Sequence, residues 1–272
     1  MRAPDSRLTG ALDALRDAPA EVAILCDVDG TLAPIVARPE DAALVAGARP
    51  VLASLRDRVR LLGFVSGRAL ADAKAIVGLD GCAYAGNHGM EMQYPGGEPG
   101  LASGVERHLP AMRAFVELWP DSRLAGGGVR LEDKGATLSF HARGAADPGA
   151  AAALLQQVAD DARAHELIPR PGREVLEIRP GLRVDKGTAA RALLARSGAR
   201  RAVYFGDDWT DVDAWRALRA LRDEGVIDTA LAVGVRSTEV PLEVHEQADH
   251  LVDGPEGVLD ALRHLAGTDA PA

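Results

Sequence analysis

Two carboxylates at the end of an apolar segment are the first residues in the chain whose types and spacing could do chemistry. Asp27 follows the apolar residues 22–26, and Asp29, Gly30 and Thr31 come directly after it. Acidic side chains held so close together away from water are costly unless a metal ion, or a phosphate with its metal, lies between them. The alternative is that Asp27 and Asp29 only begin a turn, as aspartate often does before glycine.

A hydroxyl and a guanidinium follow the next apolar segment, residues 59–65. Ser66 and Arg68 suit a phosphate group, and Gly67 between them allows the backbone to approach it closely. Ser66 could instead cap the helix that the pattern predicts over 69–77. Both roles are compatible, because a capped helix N-terminus is itself an anion site.

Further polar residues occupy equivalent positions late in the chain. Lys186 lies at the start of a predicted helix, and the acidic residues Asp207, Asp208 and Asp211 follow the predicted strand 201–205. The carboxyl ends of parallel strands meet at one edge of a sheet, so we expect all these groups to converge there. Oxygen ligands without a cluster of Cys or His favour Mg²⁺ over zinc.

This set of residues suits phosphoryl transfer. A carboxylate such as Asp27 can attack phosphorus, and a second one two residues later can act as general acid and then as general base. Lys186 can offset negative charge on the nucleophile and the phosphoryl group. No glycine-rich loop of Walker spacing precedes a Lys-Ser or Lys-Thr pair, which disfavours a P-loop enzyme.

The elements that must position these residues follow a strand–helix rhythm. Residues 22–26 are all apolar, which is typical of a strand buried on both faces in a helix-covered parallel sheet. We therefore predict an α/β fold with a Rossmann-like parallel-sheet core. Residues 82–86 and 88–94 are predicted strands of this core, and residues 241–247 a short helix.

A cluster of glycine and proline at residues 95–100 marks a change of rhythm. The chain then reads as a helix, a hairpin turning at Lys134, a second helix over 149–165 and a strand over 173–179. This α+β order predicts that residues 101–181 form an inserted domain, and that residues 1–100 and 182–272 form the core.

Composition excludes some classes of function. The chain has 272 residues and a formal charge of −9, which makes nucleic-acid binding through the whole surface a poor hypothesis. No segment is long and apolar enough for a membrane span, and the N-terminus lacks the apolar core of a signal peptide. Cys26 and Cys82 lie in predicted strands as buried, reduced thiols, so we expect a cytoplasmic location.

The motifs 27–32, 66–68, 185–187 and 206–211 resemble, in order, the motifs of the haloacid dehalogenase superfamily. More narrowly, the chain resembles trehalose-6-phosphate phosphatases. That likeness rests on the segments 29–35, 86–91 and 206–213, and on the cap elements 131–134, 141–143 and 177–180.

The resemblance implies a role for each matching residue. Asp27 would become phosphorylated, and Asp29 would protonate the leaving sugar oxygen and then activate water. Mg²⁺ would be held by Asp27, the Asp29 carbonyl and Asp207, with Asp208 or Asp211 in an outer shell. The phosphoryl group would be held by Lys186 and by the residues Thr31, Ser66, Gly67 and Arg68.

In the inserted domain, which the resemblance makes a substrate-specificity cap, Glu132, Lys134 and Glu177 match positions that bind sugar hydroxyls, with Arg143 nearby. From the residues alone, Glu132 and Lys134 are better explained as an ion pair of little consequence. His88 is likewise better explained as a structural residue than a catalytic one.

The resemblance thus implies a Mg²⁺-dependent phosphatase of trehalose 6-phosphate in trehalose biosynthesis. It would act as a monomer on a small sugar phosphate, with a trehalose-6-phosphate synthase as functional partner and with no nucleic acid or membrane partner. One alternative is the same chemistry on sucrose 6-phosphate or a glycosyl phosphoglycerate. An alternative from another class is a non-enzymatic sugar-phosphate sensor, which would bind its ligand without releasing phosphate.

Overall fold

The computed structural model describes residues 6–36, 38–172, 174–236 and 242–268. The chain divides into two compact units, which are Met1–Gly100 with Val184–Ala272, and Leu101–Arg183. We refer to them as unit 1 and unit 2.

The strands, in chain order, are β1 Val22–Cys26, β2 Leu61–Val65, β3 Ala83–Gly86, β4 Glu91–Gln93, β5 Gly100–Leu101, β6 Arg130–Asp133, β7 Leu138–His141, β8 Ile168–Gly172, β9 Val175–Arg179, β10 Arg201–Gly206, β11 Thr229–Arg236 and β12 His250–Asp253. The α-helices are α1 Ser6–Arg16, α2 Ala48–Arg56, α3 Leu70–Val77, α4 Leu109–Leu118, α5 Asp121–Leu124, α6 Pro148–Ala164, α7 Lys186–Ser197, α8 Trp209–Asp223, α9 Leu242–His245 and α10 Gly254–Ala266.

Unit 1 is built on a sheet with the strand order β12-β11-β10-β1-β2-β3-β4-β5. Strands β12 to β3 in this order pair in parallel, and β4 pairs antiparallel to β3. The prediction of an α/β fold with a parallel-sheet core is therefore confirmed.

Both faces of strand β1 are buried because helices cover the sheet on each side. Val22, Ile24 and Cys26 belong to a core cluster that also contains the apolar residues of α1, α2 and α10. On the other side, α7 contacts β1 and β2, α8 contacts β10 and β11, and the two helices pack on each other. Burial on both faces explains why β1 is apolar at every position.

Unit 2 contains an antiparallel sheet with the strand order β6-β7-β9-β8. Leu138, Phe140, Leu176 and Ile178 belong to its core cluster, together with apolar residues of α4 and α6. The opposite face carries the polar row Glu132, Ser139, Glu177 and Arg170, which the strand register places side by side. One apolar and one polar face are typical of an antiparallel sheet covered on one side.

The structure corrects the element predictions at two places. Residues 88–94 do not form one strand, because a 3-10 turn over Asn87–Gly89 precedes the short strand β4. The sequence pattern does not predict strand β8, because Pro169 and Pro171 lack the backbone N–H groups that donate hydrogen bonds in a sheet. It lies at the edge of its sheet, where prolines are tolerated. Residues 173 and 241, which belonged to a predicted strand and a predicted helix, lie outside the described residues.

Cys26 and Cys82 are both buried and unbridged. Within the described ranges, no helix combines the length and the apolar character needed to cross a bilayer.

Candidate active site

The predicted polar residues of unit 1 meet because three neighbouring parallel strands end level with one another. Cys26 of β1 is in register with Phe205 of β10 and Phe64 of β2. Asp27 therefore leaves the sheet between the segments that carry Ser66 and Asp207. This is the carboxyl edge at which open α/β sheets bind ligands.

Lys186 supplies the buried positive charge of the site. It is the first residue of α7, and a capping box formed by Asp185 and Thr188 fixes the start of this helix. Its Nζ lies 3.0 Å from Asp27 Oδ1 and 2.8 Å from Asp211 Oδ1, with 2% of the side chain exposed. The ammonium group thus bridges two carboxylates that would otherwise repel each other.

Asp211 is held by four hydrogen bonds. Its Oδ1 accepts bonds from Lys186 Nζ and the Tyr204 hydroxyl, at 2.8 and 2.7 Å. Its Oδ2 accepts the backbone N–H groups of Asp207 and Asp208, both at 3.1 Å. These bonds use most of the acceptor capacity of the carboxylate, so Asp211 is better suited to orienting Lys186 and the Asp207 loop than to holding an ion directly.

The site has too little positive charge of its own. Burial, opposed by Lys186 and reinforced by Asp211, raises the pKa of Asp27 well above its ordinary value. Burial and then repulsion from Asp211 raise the pKa of Asp207 to about 7. Burial alone would lower the pKa of Lys186, but Asp211 and Asp27 outweigh it and raise that pKa well above its ordinary value. The site therefore carries an excess of negative charge, which a bound cation would neutralise.

The residues present fit a divalent cation. Carboxylate oxygens of Asp27, Asp207 and Asp211 all lie within 4.8 Å of one another. Gly30 makes room for this cluster: its φ is +79°, and a Cβ added there would lie 2.1 Å from Asp207 Oδ2. Because the Asp211 oxygens already accept hydrogen bonds, Asp27 and Asp207 are the side chains best able to coordinate the cation. Hard oxygen ligands suit Mg²⁺, Ca²⁺ or Mn²⁺.

Asp29 is not one of the three clustered carboxylates found among the described residues, and its own carboxylate is held by Arg68. The guanidinium donates from Nε to Asp29 Oδ2 and from Nη2 to Asp29 Oδ1, both at 2.7 Å, and from Nη1 to the Pro39 carbonyl at 2.9 Å. A bidentate pair of this kind fixes both groups. Arg68, predicted as a phosphate ligand, thus contacts the predicted acid–base residue.

The remaining predicted phosphate ligands line the same edge. Ser66 is buried, and its hydroxyl accepts the Arg68 N–H at 3.1 Å. Thr31 is fully buried, with Oγ1 3.4 Å from Asp207 Oδ1. Gly67 lies against the His88 ring, since a Cβ added to it would be 2.8 Å from the imidazole.

Asp208 caps the N-terminus of a helix. It is the N-cap of α8, and its Oδ1 accepts the Thr210 N–H at 2.8 Å and the Thr210 hydroxyl at 2.6 Å. Burial opposes ionisation, but Lys186 and the Thr210 bonds prevail and lower the pKa of Asp208 to about 2. Asp208 therefore stays charged 4.0 Å from Lys186 Nζ.

In unit 2 the predicted sugar-binding residues lie on the polar face of the sheet. Glu132 Oε2 is 2.8 Å from His141 Nε2 and 3.8 Å from Lys134 Nζ. The hydrogen bond with His141 lowers the pKa of Glu132. Glu177 pairs with Arg179, with Nε 2.7 Å from Oε2. Arg143 lies near the edge of this group, 3.5 Å from Glu174.

Three partners of these residues were not predicted: Tyr204, Arg179 and, as a partner of Glu132, His141. Alternation along β7 and β9 could have placed His141 and Arg179 on the polar face. Nothing in the pattern of β10, which is apolar after its first residue Arg201, distinguishes Tyr204 from a core residue.

Comparison with known sequences finds relatives of this chain. A family model described as trehalose-phosphatase matches residues 25–255. The trehalose-phosphate phosphatase of Mycobacterium avium (strain 104) is 36% identical over 226 residues, which are 80% of this chain and 56% of that protein. The chain thus spans little more than half the length of that relative.

Solved structures share the fold. A protein described as trehalose-6-phosphate phosphatase related superposes with a TM-score of 0.73 at 24% identity, over 90% of this chain and 97% of the other. A haloacid dehalogenase-like hydrolase from Bacteroides thetaiotaomicron superposes with a TM-score of 0.62 at 14% identity, over 89% and 98%. The fold is therefore that of the haloacid dehalogenase-like hydrolases. Within that class, the chain belongs to the trehalose-phosphatase family.

Proposed function

We propose that this protein is a Mg²⁺-dependent phosphatase that hydrolyses trehalose 6-phosphate to trehalose and phosphate through an aspartyl-phosphate on Asp27. The observation that carries the proposal is the position of buried Lys186, 3.0 Å from Asp27 and 2.8 Å from Asp211. This arrangement offers a nucleophile, a fixed cation beside it and carboxylate oxygens for a metal. Family membership supports the choice of substrate.

In the proposed first step, an Asp27 carboxylate oxygen attacks phosphorus and the bond from phosphorus to the sugar oxygen breaks. Asp29, protonated at this stage, gives its proton to the departing sugar oxygen. In the second step Asp29 takes a proton from water, whose oxygen attacks the phosphorus and displaces Asp27. Phosphate leaves, and both carboxyl groups return to their starting state.

The chain's own residues stabilise the transferring group. Lys186 neutralises charge on Asp27 and on the phosphoryl oxygens, while Thr31, Ser66, Gly67 and Arg68 bind that group or orient its neighbours. Asp27, the Asp29 carbonyl and Asp207 would hold Mg²⁺, with Asp208 or Asp211 as outer support. When bound, this ion supplies the positive charge that the acidic cluster lacks.

We propose that unit 2 is the specificity cap and that Glu132, Lys134 and Glu177 bind sugar hydroxyls, with Arg143 close to them. The carboxylates accept hydrogen bonds from hydroxyl groups, and the ammonium donates them. His141 and Arg179 orient these carboxylates through hydrogen bonds. In this proposal, Glu132 and Lys134 act as part of the polar face of the sheet and are more than an isolated ion pair.

The substrate would come from a trehalose-6-phosphate synthase, since trehalose 6-phosphate must be made before it is hydrolysed. We also propose that the chain acts as a monomer. The two buried, unbridged cysteines support a reducing compartment such as the cytoplasm.

A phosphate-release assay with Mg²⁺ over a panel of sugar phosphates tests this function. The panel contains trehalose 6-phosphate, sucrose 6-phosphate and a glucosyl phosphoglycerate. We expect kcat/KM for trehalose 6-phosphate to exceed the others by a wide margin. Equal rates across the panel would overturn the substrate assignment, and binding without any phosphate release would indicate a sensor.

A further inference from the structure

The turn between β3 and β4 has an unfavourable backbone conformation, which contacts with its surroundings must stabilise. Asn87, His88 and Gly89 have φ values of 48°, 56° and 106° in succession. Residues other than glycine rarely adopt this left-handed conformation, although asparagine and histidine do so more often than most. Such segments are retained where their geometry has a use.

This turn contacts the loop that carries the proposed phosphate ligands. The Asn87 N–H donates to the Arg68 carbonyl at 2.7 Å, and the His88 N–H donates to the Ser66 carbonyl at 2.9 Å. The His88 ring lies so close to Gly67 that no Cβ fits between them. The turn therefore holds the Ser66–Arg68 loop at both ends and in the middle.

Glu91, the first residue of β4, connects this turn to the helix that follows the loop. Its Oε2 accepts a hydrogen bond from the Leu70 N–H and another from Asn87 Nδ2, each at 2.8 Å. Leu70 begins α3, and the N-cap residue Ala69 provides no side-chain cap. Glu91 supplies that missing acceptor from a different element, and its negative charge suits the helix N-terminus.

We propose that Glu91 is a positioning residue for the phosphate loop, acting through Asn87 and the first turn of α3. One carboxylate oxygen ties the turn at 87–89 to the start of α3, and the Ser66–Arg68 loop lies between these two fixed points. The Ser66 hydroxyl and the Arg68 guanidinium then keep their places without induced fit. The inference rests on the proposed function in one respect, which is that this loop binds a phosphoryl group.

The test compares Glu91→Ala, Glu91→Gln and the control Asp249→Ala. Asp249 has a matching role elsewhere in unit 1, because its carboxylate accepts the Ala232 N–H and Arg219 Nη2, each at 2.8 Å. The measurement is titration calorimetry with inorganic phosphate in the presence of Mg²⁺, followed by kcat and KM with trehalose 6-phosphate or the best substrate of the panel.

We expect Glu91→Ala to weaken phosphate binding about tenfold and to raise KM by a similar factor, because the loop loses an anchor. Glu91→Gln should bind phosphate within about twofold of wild type, since its amide oxygen can accept the same bonds. Asp249→Ala should lower thermal stability and leave phosphate affinity unchanged. Should Glu91→Ala not fold, Asn87→Asp replaces it, because the new carboxylate repels Glu91 and should weaken phosphate binding alike.

Glu91→Ala with wild-type phosphate affinity would overturn the inference, and so would an equal loss in Asp249→Ala. Phosphate binding requires no sugar, so a failure of trehalose 6-phosphate in the panel, with phosphate still bound, would overturn only the substrate assignment. A wild-type protein that binds no phosphate would overturn both.

Discussion

At the scale of single residues, the pair Arg68–Asp29 has the clearest consequence for catalysis. Asp29 must carry a proton in one step of the proposed reaction and accept one in the next. The guanidinium holds its carboxylate by both oxygens while about a third of the Asp29 side chain stays exposed. Both oxygens accept hydrogen bonds in this arrangement, so Asp29 is oriented here as the proposed base and is still reachable by water. To act as the proposed acid, it must give up one of the two Arg68 bonds, because the oxygen that carries the proton then donates to the substrate.

Replacing Arg68 with lysine should lower kcat about tenfold, because an ammonium group cannot hold both carboxylate oxygens in a planar fork. The charge is kept, so the loss would report orientation. Steady-state kinetics of phosphate release with Mg²⁺ measure the effect.

Arg200→Lys is the matched control for this change. Arg200 contacts Asp228 through Nε and Nη2 and the Val226 carbonyl through Nη1, and so repeats the pattern of Arg68 at the opposite end of β10. It should keep the wild-type kcat. If both variants lose activity equally, the orienting role of Arg68 is wrong.

At the scale of elements, the start of α7 determines where the Lys186 charge lies. Asp185 Oδ1 accepts the Thr188 N–H at 2.7 Å, and Thr188 Oγ1 accepts the Asp185 N–H at 3.0 Å. Lys186 is the next residue after the cap, so any fraying of this helix moves its ammonium group.

Asp185→Ala should therefore reduce the free energy of unfolding by about 1 kcal/mol and also lower kcat. Asp147→Ala removes the N-cap of α6, whose Oδ1 accepts the Gly149 and Ala150 N–H groups at 2.9 and 3.0 Å. That variant should lose similar stability and keep kcat. Urea unfolding and steady-state kinetics measure the stability and the kcat of both variants. An unchanged kcat in Asp185→Ala would contradict the positioning role of α7.

The elements that could be predicted are those whose burial requires a regular pattern of apolar residues in the sequence. Strand β1, and β10 after its first residue Arg201, are apolar because helices cover both of their faces, and that signal is strong in the sequence. The turn over Asn87–Gly89 could not be predicted, because its left-handed backbone depends on contacts with the Ser66 loop and with Glu91. Tertiary contacts of this kind override local preference.

At the scale of the whole molecule, the site concentrates negative charge in a chain that is already acidic, with a formal charge of −9. Folding brings Asp27, Asp207, Asp208 and Asp211 around one lysine. The fold must offset this repulsion through protonation of the carboxylates or through a bound cation.

This balance predicts a dependence of stability on pH. Aspartate in the unfolded chain has a pKa near 4, whereas burial raises the pKa of Asp211 to about 6 and the pKa of Asp207 to about 7 in the fold. Their contribution to stability is complete below pH 4 and is lost as pH rises to 7. The free energy of unfolding of the metal-free protein should fall across this window by up to roughly 1.4 kcal/mol per pH unit for each proton released.

Mg²⁺ should reverse this loss, because it binds the deprotonated carboxylates. Urea unfolding at pH 5 and pH 8, with Mg²⁺ or with EDTA, measures both effects. Asp207→Asn is the control and should flatten the pH dependence. A larger stabilisation by Mg²⁺ at pH 5 than at pH 8 would contradict this account of the cluster.

The residues that we propose for catalysis could be selected from the sequence because each follows a predicted strand or begins a predicted helix. The partners that orient them could not, since Tyr204 reaches Asp211, and His141 reaches Glu132, only through the register of the folded strands. The sugar-binding role that we propose for Glu132 and Lys134 comes from the resemblance to a known family, since their residue types and spacing alone favour a surface ion pair.

Phosphorylation of Asp27 can be detected in an acid-quenched single turnover with trehalose 6-phosphate radiolabelled in its phosphate. Mass spectrometry and peptide mapping locate the label in wild type, and Asp27→Asn serves as control. We expect transient label on Asp27 in wild type and none in the variant, whose fold should persist by circular dichroism. Phosphate release without label on Asp27, or an active Asp27→Asn variant, would contradict the proposed mechanism.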